Sequence, residues 1–182
     1  MRRAPVAIVL ACAFALGGCD WVRQQAPGSL GVRSAQLVVV GDEARLDLAL
    51  DCRLSGPMQD AIDHGIPVTL VVDVRSGRWP DALRAARRVE LRYFPLSRRY
   101  QLRAGDGEEV RSFPTRNWLV AGLGSLRLRL PAAFAQLPAD ARIEVRAGID
   151  AAALPGALRL PALFEPAWRL ASADTTWPVA AR

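Results

Sequence analysis

The stretch Arg45-Leu46-Asp47-Leu48-Ala49-Leu50-Asp51-Cys52 decides the fold class. Apolar residues recur at every second position, with Arg45, Asp47 and Asp51 between them. That period puts Leu46, Leu48, Leu50 and Cys52 on one face of a strand and the charges on the other. A strand with one apolar and one charged face is half-buried, as in an antiparallel sheet.

The alternation continues on both sides of that stretch. Gln36–Val40 precedes it across a Gly41-Asp42 turn. Pro67–Val74, Val89–Tyr93, Arg99–Arg103, Glu109–Phe113, Ser125–Leu130 and Arg142–Ile149 follow. Three Pro-bounded stretches, Leu158–Leu163, Ala167–Ser172 and Thr176–Val179, bring the expectation to about eight to ten short strands. Two short helices interrupt them. Pro57–His64 has Ser55 or Gly56 as cap, Pro57 at its first position and Gly65 at its end, with Met58, Ala61 and Ile62 on one face. A second starts after Thr115, carries Trp118, Leu119 and Leu123 on one side, and stops at Gly122 and Gly124. Residues 76–87 admit two readings. Trp79-Pro80-Asp81 opens a helix through Ala82–Arg87, or the strand resumes past a kink. The expected fold is mainly β, an antiparallel β-sandwich with an immunoglobulin-like arrangement as one version. An α+β domain with helices closing one sheet face is the alternative. Strand follows strand without long crossover helices, which disfavours a doubly wound α/β fold.

The N-terminus reads as an address. Arg2 and Arg3 form a positive region, and Ala4 to Leu16 is an uncharged apolar run, too short for the ~20 residues of a spanning helix. Leu16-Gly17-Gly18-Cys19 resembles a bacterial lipobox, with cleavage after Gly18 and lipidation of Cys19. Asp20 resembles the inner-membrane retention signal of enterobacterial lipoproteins. Residues 1–18 are thus expected to be a signal peptide, 19–34 a lipidated tether and 35–179 a single β-rich domain. The expected location is the periplasmic face of the inner membrane, with the outer membrane or the soluble periplasm as alternatives.

Composition limits the chemistry. The 182 residues carry 24 basic and 18 acidic side chains, a net charge of +6, and every basic residue is Arg. Without Lys there is no Schiff-base or P-loop lysine. With His64 as the only His, multi-His metal sites are excluded and no metal or cofactor is expected. His64 falls in the last turn of a short helix, where a cationic ring stabilises the C-terminus. Cys52 points into the core, so a Cys52–His64 catalytic pair lacks an exposed thiol. Asp47 and Asp51 lie ~13 Å apart along one strand, beyond glycosidase spacing. The chain is expected not to be an enzyme. No Arg-rich run interleaves with aromatics, so nucleic acid is not an expected partner.

Arg92, Arg98, Arg99, Arg103 and Arg111 fall in consecutive strands and suggest an interaction face for an acidic protein or phospholipid. Trp168 and Trp177 flank Ser172 in a tail expected to pack along a sheet edge and protect it.

Several segments in fixed order resemble one family. They are Leu54 with Ala61-Ile62 and Gly65-Ile66-Pro67-Val68, Trp79 with Asp81, and Leu91-Arg92-Tyr93 followed by Leu96-Ser97-Arg98-Arg99-Tyr100-Gln101-Leu102. Phe113-Pro114-Thr115 comes next, then Ile149-Asp150, Leu154-Pro155, Leu158, Leu163, Trp168-Arg169-Leu170-Ala171-Ser172 and Trp177. Together they resemble the proteobacterial exported family called domain of unknown function 4390, across about residues 33–179. The resemblance implies export and, from neighbouring genes, a nitrogen-regulation-type sensor kinase as partner; it implies no catalytic residues. Against the family's extended stretch, Ala82–Arg88 reads as more helical. The expected function is a non-catalytic envelope accessory that is held by a lipid anchor and acts through protein contacts. A periplasmic carrier of a lipid or other apolar ligand between the sheets is the alternative.

Overall fold

The computed structural model describes residues 27–77, 82–105, 109–138 and 140–179. The expected signal peptide, Cys19, Trp79 and Asp81 lie outside these residues. Nine strands follow one another: β1 (Ser29–Val40), β2 (Glu43–Arg53), β3 (Val68–Ser76), β4 (Leu83–Phe94), β5 (Arg99–Ala104), β6 (Glu109–Phe113), β7 (Leu126–Leu130), β8 (Arg142–Ile149) and β9 (Thr175–Pro178). Three short helices lie between them: α1 (Gly56–Asp63), α2 (Arg116–Ala121) and α3 (Gly156–Phe164).

The chain is mainly β and forms two antiparallel sheets, ordered β1-β2-β7 and β6-β5-β4-β3-β8-β9. Leu46, Leu48 and Leu50 of the quoted stretch are all buried. Leu46 stands between Leu37 and Leu128, and Leu48 between Ala35 and Leu126, so the inner face of the small sheet is a block of aliphatic side chains. In the large sheet Leu70 stands between Val89 and Ile149, Val72 opposite Ala147, and Val74 opposite Val145. These two inner faces contribute to a single buried cluster. Each leucine in it contributes roughly 1.5–3 kcal/mol by leaving water.

A strand order with β3 to β6 as an uninterrupted meander differs from the immunoglobulin distribution of strands over two sheets. The tail runs along β8 as expected: Ile143 opposes Trp177, Val145 opposes Thr175, and the Ser172 hydroxyl accepts from the Ala147 N–H at 2.9 Å.

Three expectations are corrected, and the open reading of residues 76–87 is resolved. β1 begins at Ser29, not after residue 34, because Leu30 and Val32 are half-buried and the ladder runs from Ser29↔Arg53 onward. The last six residues of the segment expected to be a tether therefore belong to the sheet. Residues 83–88 are strand, not helix: every residue from Leu83 to Arg88 has a β3 partner, from Ser76 to Val71. Leu158–Leu163 lies within a helix, α3, which starts with the Leu158 N–H donating to the Pro155 carbonyl at 2.8 Å and buries Ala162. Trp118 points outward while Leu119 is buried, because successive helical residues point about 100° apart, and Leu123 is buried in the turn that follows α2.

Register places α1 and α2 at one end of the sheets. Val68 opposes Leu91, Phe94 opposes Arg99, and Tyr100 opposes Phe113. The start of β3, the β4–β5 turn and the start of α2 therefore share this helical end. Asp63 of α1 accepts from the Tyr100 hydroxyl at 2.8 Å and pairs with Arg116, which ties both helices to β5.

Candidate interaction surface

The inner face of the large sheet is filled, so its chemistry is on the outer one. Alternation along each strand decides which residues stand there. On β3 and β4 they include Asp73, Arg75, Arg84, Arg88, Glu90 and Arg92; on β5, Arg99 and Arg103; on β8, Arg142, Glu144 and Arg146. All eight of these arginines are exposed, whereas Asp73, Glu90, Glu144 and the adjoining Asp150 are half-buried.

Some of the charge is compensated on the spot. Arg88 Nε lies 3.3 Å from Asp150 Oδ2, whereas Glu90 stands opposite Arg103 in register without pairing with it. Asp150 itself caps the turn after β8, accepting from the Ala152 and Ala153 N–H groups. Thr69, Arg88, Glu90, Arg103 and Asp150 line an outward-opening groove of about 450 Å³. Elsewhere like charges meet: Arg84 stands directly opposite Arg75, with Glu144 on the far side of Arg75. Opposed like charges are destabilising in a sheet, and a bound anion relieves them. Among the described residues, Arg92, Arg103 and Arg146 have no carboxylate within ion-pair distance. Arg92 lies over the Phe94 ring at 4.9 Å.

The five arginines singled out in the sequence do not form one face. Arg92, Arg99 and Arg103 share the outer face. Arg98 sits beside it in the β4–β5 turn at φ 50°. Arg111 points the other way. Its Nη2 donates to the Gly122 carbonyl at 2.8 Å and its Nη1 to the Ser125 hydroxyl at 3.1 Å. Its Nε lies 3.2 Å from the Glu109 carboxylate, an ion pair without hydrogen-bond alignment. Arg111 is thus a clamp between the edge of the large sheet and the turn before β7. Sequence reading missed Arg75, Arg84, Arg88, Arg142 and Arg146. The alternation of Arg142 and Arg146 with Ile143 and Val145 signalled an outward position, but only strand pairing brings them beside β4.

Two further grooves open outward. One of about 600 Å³ crosses the small sheet past Ser34, Gln36, Asp47 and Arg127 to Trp177. The other, of about 250 Å³, lies between Glu43, Arg45, Glu109 and Arg129. Arg45 Nε donates to Asp47 at 2.8 Å, and that carboxylate raises the guanidinium pKa further.

His64 Nδ1 lies 2.7 Å from the Asp60 carbonyl at the end of α1, in an exposed position. Cys52 is half-buried, and burial, then Asp51, pushes its thiol up to about 11, so at neutral pH it is protonated. Among the described residues no His, Cys, Asp and Glu side chains cluster as metal ligands would.

No curated protein and no solved structure matches the chain. Residues 28–178, from just before β1 through β9, match one protein family. That match includes both sheets and the arginine face, and the chain belongs to the family described as Domain of unknown function (DUF4390).

Proposed function

We propose that the protein is a non-catalytic accessory of the bacterial envelope. A lipid on Cys19 holds it at the periplasmic face of the inner membrane, and the outer face of its large sheet docks an acidic partner protein. The supporting observation is that face itself, with eight exposed arginines against four half-buried acids. Charge of one sign on a rigid sheet speeds encounter and selects an acidic patch. The periplasmic domain of a sensor kinase, presenting such a patch, is the partner class that fits.

Crosslinking of the tagged protein in membranes, with mass spectrometry of what is recovered, tests this. The variant is Arg84→Glu with Arg92→Glu. Arg84 faces Arg75 and Arg92 faces Gln101, so neither reversal sets a carboxylate directly opposite another. Recovery of the partner falls by at least about tenfold, with melting unchanged. Equal recovery from variant and parent would refute the assignment of this face.

A further inference from the structure

We propose that the helical end of the domain rests on an anionic lipid surface, with its exposed apolar side chains entering the headgroup region. This rests on the reading of Cys19 as the anchored residue.

Register fixes which segments share that end. Besides the β4–β5 turn and α2, it holds the start of β1. The Ile149 N–H donates to the Leu170 carbonyl, and Leu170 lies against Gly28. α3, in the excursion between Ile149 and Leu170, belongs to the same end. Four large apolar side chains are exposed there: Leu96 at 104%, Trp118 at 63%, Leu160 at 67% and Phe164 at 75%. Leu160 and Phe164 are four apart and share one side of α3. Val40, also exposed, sits at the opposite end beside the Gly41 turn.

Charge at the helical end suits phosphates. Arg53, Arg92, Arg98, Arg99 and Arg159 are exposed there, against exposed Asp51, Asp60 and Glu165. Asp63 is already taken by Arg116. Arg98 holds a left-handed backbone, uncommon for a residue with a side chain, in the turn that carries Leu96. Large apolar groups with arginine stems beside them, and an indole with its polar N–H, are the chemistry of a membrane interface.

Chain length selects this end over the other. Eight residue steps separate Cys19 from Pro27, at most ~29 Å when fully extended. β1 then runs about 40 Å to the Gly41 turn. An acylated Cys19 brings the helical end down and leaves the Val40 end standing off. The part of the arginine face away from that end, with Arg75, Arg84, Arg142 and Arg146, stays open to a neighbouring protein.

The test uses the full chain with Cys12 and Cys52 replaced by Ser. Single Cys replacements at Leu96, Trp118, Leu160, Phe164 and Val40 carry a nitrobenzoxadiazole dye. Each protein is reconstituted in vesicles of phosphatidylethanolamine and phosphatidylglycerol, and mass spectrometry reports acylation of Cys19. Iodide quenching is expected to fall by roughly fivefold at the four helical-end positions and to stay unchanged at Val40. Equal quenching at all five overturns the proposal. Protection that appears only in native membranes also overturns it and points to a protein on that end. If Cys19 carries no acyl group, the anchor reading fails by itself. The same dyes on a chain in which Cys19 is also replaced by Ser, mixed with vesicles, then decide the inference, protection supporting it and its absence overturning it.

Discussion

Tyr100 joins three elements through one hydroxyl. It donates to Asp63 of α1, which also holds Arg116 of α2, and its ring tilts against Tyr93 at 4.7 Å. Burial first, then the bond to Asp63, pushes the phenol up to about 12 from 10.0. Cys52 is likewise pushed up to about 11 from 9.0, by burial. Both groups keep their protons longer folded than unfolded. Their contribution to stability is therefore fully present below pH 9, erodes as pH rises through these values, and is lost above about 12. The chain has no Lys, so few other groups titrate in that window. Chemical denaturation from pH 8 to 12 should show a stability decline that sets in near 9. Tyr100→Phe should cost about 1 kcal/mol at pH 7 and flatten the decline above pH 10. An unchanged alkaline limb in that variant would remove Tyr100 as its cause. No local pattern announces this cluster, because Asp63, Tyr100 and Arg116 meet only through tertiary packing.

At the scale of elements, the strands were legible wherever a charged residue alternates with an aliphatic one. β2, β7 and β8 have that pattern, and each buries the side chains it marks. β4 was harder to read, since Leu83–Arg88 contains helix-favouring Ala and Arg, and only its ladder with β3 makes it extended. α3 was misread for the opposite reason. Pro161 lies within it and removes a backbone donor, yet Ala162 is anchored in the core and Arg159 Nε donates to the Leu154 carbonyl. The start of β1 offers a comparison between two glycines, Gly28 just before the strand and Gly31 within it. A Cβ at Gly28 would lie 2.8 Å from the Arg53 carbonyl oxygen, a backbone atom that cannot move away cheaply, whereas one at Gly31 would meet nothing within 4 Å. Gly28→Ala should lower stability by about 1–3 kcal/mol, while Gly31→Ala should be neutral or slightly stabilising. Thermal melts of the two variants check the ranking. Equal melting temperatures would mean that β1 starts free of β2.

Across the whole molecule, edges and faces have separate tasks. The arginine face was half legible: charge alternation marked its residues as outward, but which strands stand side by side follows from pairing over long sequence distances. The tail was read as edge protection, and its geometry gives that reading a consequence. Without β9, β8 would present its backbone along the edge of the six-stranded sheet, from Arg142 to Gly148. The Ala147 N–H would lose the Ser172 hydroxyl, and the Val145 carbonyl would lose the Thr175 hydroxyl. Trp168, Leu170 and Val179 are buried, so the last segment also contributes to the core. Ending the chain after Leu170 keeps the first two of these and removes the covering strand together with Ser172 and the buried Val179. That truncation should cost on the order of 3 kcal/mol, from lost hydrogen bonds and the uncovered Trp177 contact. It should also bring concentration-dependent association, because an open edge pairs with another copy. Light scattering across a concentration series, alongside a melt, separates the two effects. A truncated chain that stays monomeric and melts with the parent would show that β8 needs no cover, and that the tail is kept for a contact outside the domain.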